Sequence, residues 1–155
     1  LGNVYRTLAE VENKAENCKK AIKAFEEALK VYTLDRFPIQ YATTQNNLGT
    51  AYRTLAEVEN KAENCKRAIK AYEEALKVYT LDRFLIQYAT TQNNLGNAYR
   101  TLAEVENKAE NCKKAIKAYE EALKVFTKEE FPEIYPLVKS NFIKLREFCR
   151  EVNKS

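Results

Sequence analysis

Catalysis by side chains needs a nucleophile, a base to activate it or a set of metal ligands, and this chain is poor in all three. It has no His, no Met and no Trp, and its only serines are Ser140 and Ser155. Its cysteines are Cys18, Cys65, Cys112 and Cys149, the first three at a constant interval of 47 residues rather than in a Cys-x-x-Cys pair. That spacing is neither a redox motif nor a zinc signature. Without His, no imidazole can activate a thiol or complete a mixed Cys/His zinc site. The residue types therefore predict no enzyme, no metal site and no cofactor. What remains is recognition chemistry: Asn, Thr and Arg side chains that present donors and acceptors at regular intervals.

The composition agrees with a folded binding module. A chain of 155 residues with 45% hydrophobic and 31% charged residues has the profile of one globular domain. Net charge is +4, from 26 basic and 22 acidic residues whose signs are interleaved, so no strong field for nucleic acid or membrane follows. No apolar run reaches the roughly 18 residues a membrane span needs. A reducing, cytoplasmic setting is the expectation that goes with so few cysteines. The chain opens at Leu1, inside a repeat, so it reads as a piece of something longer whose first helix is incomplete.

That repeat is the organising feature. Leu1, Leu48 and Leu95 each open a near-identical block of 47 residues, and Phe142 begins a fourth that soon departs from the pattern. The array divides into residues 1–47, 48–94 and 95–141, with a C-terminal capping region over 132–155. The first two blocks differ at five positions only: Asn3/Thr50, Val4/Ala51, Lys20/Arg67, Phe25/Tyr72 and Pro38/Leu85. One such unit cannot cover its own apolar face, so stacking of neighbours must stabilise it.

Each block reads as two helices. Ala15, Cys18, Ile22, Phe25, Leu29 and Tyr32 recur at three- and four-residue steps, the stripe of an amphipathic helix B over 14–33. Asn13 followed by Glu16 predicts a capping box at its start, repeated at Asn60/Glu63 and Asn107/Glu110. Helix A spans 38–59, with Tyr41, Gln45, Leu48, Tyr52 and Leu55 on one side and Ala42, Gly49 and Ala56 beside them. Pro38 and Pro132 suit a helical first turn. The pattern predicts seven helices, at 1–12, 14–33, 38–59, 61–80, 85–106, 108–127 and 132–152. Short linkers make consecutive helices antiparallel neighbours. The last is a cap, with Val138, Phe142, Leu145, Cys149 and Val152 on its stripe and Lys139, Lys144, Arg146, Glu147 and Arg150 on its polar side.

Leu48-Gly49-x-x-Tyr52, then Ala68-x-x-x-Tyr72, with a proline near the unit's end, resembles the tetratricopeptide repeat pattern, and all three blocks carry it. Two features depart from that pattern: the unit is 47 residues long, and its Trp position holds Gln45, Gln92 and Lys139. The run Asn46-Asn47-Leu48-Gly49 is similar to the lengthened repeats of kinesin light chains. The resemblance implies an all-α, right-handed α-solenoid of antiparallel helix pairs whose helices A line a concave surface. It implies nothing about which partner is held.

Several residues invite a site reading. Gly2, Gly49 and Gly96 fall mid-helix, where Gly costs about 1 kcal/mol relative to Ala, so close approach of helix A to helix B is expected there. Cys18, Cys65 and Cys112 lie on the helix B stripe as small hydrophobes. Equivalent positions on stacked helices stand about 8–10 Å apart, beyond the roughly 4.4–6.8 Å of a disulfide, so all four thiols are expected reduced and mostly buried. Tyr5, Tyr52 and Tyr99 are expected in the core. Arg6, Arg53 and Arg100 form a ladder beside them, open to two readings: a solvated face or a basic groove floor. Asn46-Asn47 and Asn93-Asn94 are poor helix formers repeated mid-helix, and Asn141 keeps the second member. Either they line the groove with Asn3, Thr50 and Asn97 one turn along, or repeat identity has copied neutral residues. A clamp for a terminal carboxylate, as some family members have, would want Lys where Asn46 and Asn93 stand.

The functional expectation is a protein–protein interaction module that holds an extended, acidic-leaning peptide segment of a partner in its concave groove. The alternative is a structural spacer or head-to-tail self-associating array. Reading of RNA by helical repeats ranks last, because the would-be specificity residues barely vary between units.

Overall fold

A computed structural model describes residues 2–150, apart from the side chains of residues 2, 3 and 7–9. It is helical, without a strand among those residues: α1 (Gly2–Leu29), α2 (Pro38–Ala56), α3 (Lys61–Leu76), α4 (Leu85–Ala103), α5 (Lys108–Leu123) and α6 (Tyr135–Arg150). Each helix packs on the next, and α2 also touches α4. The result is an α-solenoid of antiparallel pairs. Helices α2, α4 and α6 form an A row, and the second half of α1 with α3 and α5 forms a B row.

The B-to-A turns are held by an edge-to-face aromatic pair at each unit, with centroids 5.9 Å apart for Tyr32–Phe37, 5.6 Å for Tyr79–Phe84 and 5.3 Å for Phe126–Phe131. Pro38 occupies the first turn of α2, as the sequence predicts. Pro132 does not do the same for α6; it lies in the preceding turn, and Pro136 takes the early helical position instead.

The A-to-B turns differ from the capping boxes expected. Asn60 and Asn107 stand in the left-handed region, with φ of 44° and 43°, and their side chains cap nothing. Asn tolerates that backbone better than most residues. The turn is secured by a different asparagine: the buried side chains of Asn64 and Asn111 each donate from Nδ2 to the carbonyl of Glu59 and Glu106, at 2.9 Å. In a buried position such a bond also avoids leaving a helix-end carbonyl unpaired.

In the first block this turn is absent, and among the described residues six helices replace the seven expected. Residues 7–16 repeat the sequence of 54–63, yet α1 runs straight through Asn13. Local sequence permits both shapes, so packing decides. At Asn60 the left-handed backbone is offset by the packing of α2 on α3, and a helix running on through Asn13 avoids that backbone altogether. Tyr5 is consequently 66% exposed, against 7% for Tyr52 and 9% for Tyr99, which corrects its assignment to the core.

The mid-helix glycines are explained by close approach. A Cβ on Gly49 would sit 2.7 Å from Cε1 of Tyr72, and one on Gly96 would sit 3.2 Å from the Tyr119 ring. Both tyrosines are fully buried. Helices α3 and α5 thus each seat an aromatic ring against a bare Cα of the A helix, and Gly2 lies outside the side chains described.

The cap expectation holds: Val138, Phe142, Leu145 and Cys149 are the buried stripe of α6. Val152 lies outside the described residues. The cysteine expectation is half wrong. Cys18 and Cys65 are free and buried, but Cys112 and Cys149 form a disulfide, with Cα atoms 5.9 Å apart and 37 residues between them in sequence. Comparing like positions on successive B helices overlooked the A helix that covers them. One repeat back from Cys149 is Leu102, and two back is Leu55. By the same register those leucines face Cys65 and Cys18. Only at the last boundary does a second cysteine replace the leucine.

The left-handed turns generate a test. Replacing Asn60 and Asn107 together by Gly should leave the protein as stable or up to about 1 kcal/mol per site more stable in urea titration, and Asn60→Ala should cost about 1 kcal/mol. A side-chain cap would instead make both changes destabilising.

Candidate functional site

The candidate residues lie on the A row, so its ties to the B row set where they point. Rings of the B helices enter from one side. The hydroxyl of Tyr52 donates to Glu26 at 2.9 Å and that of Tyr99 to Glu73 at 3.0 Å, each across a unit boundary. Between an A helix and the B helix that follows it, Tyr41 bonds Glu74 and Tyr88 bonds Glu121. Ion pairs repeat the same boundary: Lys14–Glu57 at 2.6 Å and Lys61–Glu104 at 3.3 Å, then Lys19–Glu59 and Lys66–Glu106, both at 2.7 Å. Helical spacing puts Asn47 and Thr54 of α2, with Asn94 and Thr101 of α4, away from these contacts, while Thr43 and Thr50 meet the hydroxyls of Tyr79 and Tyr72.

The predicted site residues divide into two groups. Asn47 is exposed, Asn94 and Asn141 are half-buried, and all three recur at the outer face at a 47-residue step. Among the described residues their side chains make no intramolecular hydrogen bond.

Their neighbours are engaged. Oδ1 of Asn46 accepts from Oγ1 of Thr91 at 3.3 Å, tying α2 to α4. Asn93 holds the same place in the next unit, but its Oδ1 is buried without a partner. The residue that would donate to it, one repeat beyond Thr91, is Val138. Thr50 shares a 3.1 Å hydrogen bond with the Tyr72 hydroxyl, and Asn97 accepts from the Tyr119 hydroxyl. Asn46, Thr50 and Asn97 therefore serve the fold first. The side chain of Asn3 lies outside the described residues.

The arginine ladder also divides. Arg6 is exposed on the straight arm of α1, 3.9 Å from Glu10, and is not brought to the others. Arg53 and Arg100 are half-buried, and no carboxylate of the described residues lies within ion-pair distance of either. Nε of Arg53 is buried without an acceptor. Both charges act on Tyr119, whose phenol burial pushes up to about 12 while the two guanidiniums pull it back. The two guanidiniums thus sit half-buried beside buried tyrosines, without a carboxylate partner among the described residues.

Sequence reasoning did not single out the Tyr–Glu and Lys–Glu ties. Every residue of the unit repeats at the same interval, so periodicity could not separate a tie from a solvated side chain. Among the described residues no cluster of His, Cys, Asp and Glu could hold a metal ion, and no helix is long and apolar enough to cross a membrane.

The tetratricopeptide repeat family model matches residues 50–128. With the helix pairs and the glycine notch this places the class, and the chain belongs to the tetratricopeptide repeat family. Comparison with curated proteins and with solved structures finds no match.

Buried phenols generate a pH prediction. Burial is the first cause raising Tyr41, Tyr88 and Tyr119 to about 12, from an ordinary value of 10.0. A folded-state value above the unfolded one means the unfolded chain loses its protons first as pH rises. Stability from these groups should be complete below pH 10 and fall as pH climbs from about 10 to about 12. Urea midpoints over that range should drop together with the appearance of tyrosinate absorbance. A flat midpoint with early ionisation of all ten tyrosines would contradict it.

Proposed function

We propose that this chain is a protein-interaction module that holds an extended peptide segment of a partner along its A row. The observation that carries the reading is the division among the asparagines: Asn46 is tied between helices, while Asn47, Asn94 and Asn141 keep their amides unengaged on the outer face. In arrays of this family helix A lines the concave surface, so these amides would form the groove floor. Neighbouring helices of one row stand about 8–10 Å apart, and an extended chain advances about 3.3 Å per residue. One amide then meets roughly every third peptide unit, offering a donor to its C=O and an acceptor to its N–H. Such binding is led by the backbone and permissive of side chains. Arg53 and Arg100, without carboxylate partners among the described residues, add preference for acidic segments and sensitivity to salt.

A spacer or head-to-tail array is the second reading. The end of the array weighs against it. Positions that are Ala42, Gly49 and Ala56 in α2, and Ala89, Gly96 and Ala103 in α4, become Pro136, Ile143 and Arg150 in α6. Ile143 is 48% exposed where the notch for a B-helix ring would be. A further unit has no seat there. Catalysis forms no part of either reading, and a cytoplasmic location belongs to the proposal.

Replacing Asn47 and Asn94 together by Ala should weaken partner binding at least tenfold while thermal stability stays unchanged or rises slightly, since Ala is the better helix former. Unfolding would show the amides to be structural. Unaltered affinity for a partner isolated with the intact array would return the module to the spacer class.

A further inference from the structure

The third unit boundary is built differently from the first two. At those, a Tyr hydroxyl crosses to a Glu: Tyr52 to Glu26 and Tyr99 to Glu73. At the third, the tyrosine is replaced by Arg146, whose guanidinium lies over the Phe142 ring at 5.6 Å. The Thr91–Asn46 bond between A helices also has no successor, because Val138 stands where the threonine would be and leaves Oδ1 of Asn93 unpartnered. Helix α6 has thus given up two polar ties that hold α2 and α4, and it has gained one covalent tie, Cys112–Cys149.

We propose that this disulfide is a redox-operated latch on α6, so that reduction releases the C-terminal part of the Asn row. The inference rests on the groove reading above, because α6 carries Asn141 and ends the A row. Opening is a thiol–disulfide exchange with a dithiol. One thiolate attacks a sulfur and expels the other as a thiolate, and the second thiol of the reagent then closes its own disulfide. Two electrons and two protons pass from the dithiol to the cystine, leaving two cysteine thiols. Cys149 lies in the last described turn of α6, and local opening of that turn exposes the bond. The other thiols cannot substitute for it. Cys18 and Cys65 face leucines by register, and burial pushes the Cys65 thiol up to about 11, which suppresses its thiolate. In a cytoplasmic setting a disulfide is conditional rather than permanent, which suits a latch.

Once the bond is open, α6 is retained without a covalent tie, by its stripe Val138, Phe142, Leu145 and Cys149 and by Phe148, over whose ring Lys108 of α5 lies at 4.2 Å. Closing the loop between the cysteines restricts the undocked ensemble, so its loss should shift the docking equilibrium by on the order of tenfold or more. Units one to three keep all their ties.

The test is amide hydrogen exchange on the full chain, oxidised and then reduced with dithiothreitol, beside titration of a fluorescein-labelled Glu-Ala peptide long enough to span the three A helices. Reduction should speed exchange of α6 amides at least tenfold, leave α2 to α5 unchanged and weaken the peptide several-fold. Cys149→Ser should reproduce the reduced state without reductant, and Cys65→Ser should still respond. Equal α6 exchange in both states, or four titratable thiols in the air-oxidised protein, would overturn the latch. Faster α6 exchange with an unchanged peptide affinity would overturn the gating of the groove. Peptide binding in neither state would remove the groove and its gate together, leaving only a redox-dependent cap.

Discussion

Everything in this array depends on how closely a B helix can approach its A helix, and that distance is set where the rings of Tyr72 and Tyr119 press on Gly49 and Gly96. A bare Cα on one helix lets a whole aromatic side chain disappear on the other, with a hydroxyl that must then find a partner. Thr50 and Asn97 provide it. The notch fixes the rotation of helix A about its own axis. Once that is fixed, Tyr52 and Tyr99 reach back to the preceding unit, and Asn47 and Asn94 are left without a hydrogen-bond partner among the described residues. Recognition residues are positioned here as a by-product of packing.

The same logic explains both ends. At the N-terminal end the decapeptide that turns at Asn60 stays helical through Asn13. A left-handed Asn is a cost that packing must offset. At the C-terminal end Ile143 stands where the glycine notch would be, and a disulfide stands in for the polar ties lost at that boundary.

Much of this was legible in the sequence. The 47-residue period, the helix pairs, the packing role of the glycines and the cap stripe all follow from residue type and spacing. Turn geometry was not, because Asn60 followed by Glu63 satisfies a capping-box pattern whether or not the backbone adopts the cap conformation, and the buried Asn64 that secures the turn looks like any polar residue near a helix start. The disulfide was readable in principle: subtracting one period from Cys149 lands on Leu102, a core position opposite a cysteine stripe. The site divided within single residue pairs. Asn46 and Asn47 have the same type and the same periodicity, and only the 100° between consecutive helical positions sends one to a neighbouring helix and the other outward.

The central claim, that a buried ring seated on glycine sets the register of the units, is tested most directly by a double-mutant cycle of Gly49→Ala and Tyr72→Leu in urea unfolding. In the wild-type background Gly49→Ala should destabilise by about 1–3 kcal/mol, because the Tyr72 ring is in the way. In the Tyr72→Leu background the added methyl meets a vacated space and a helix that prefers Ala, so the same change should be neutral or stabilising, a coupling of about 1 kcal/mol or more. Equal costs of Gly49→Ala in both backgrounds would contradict the account.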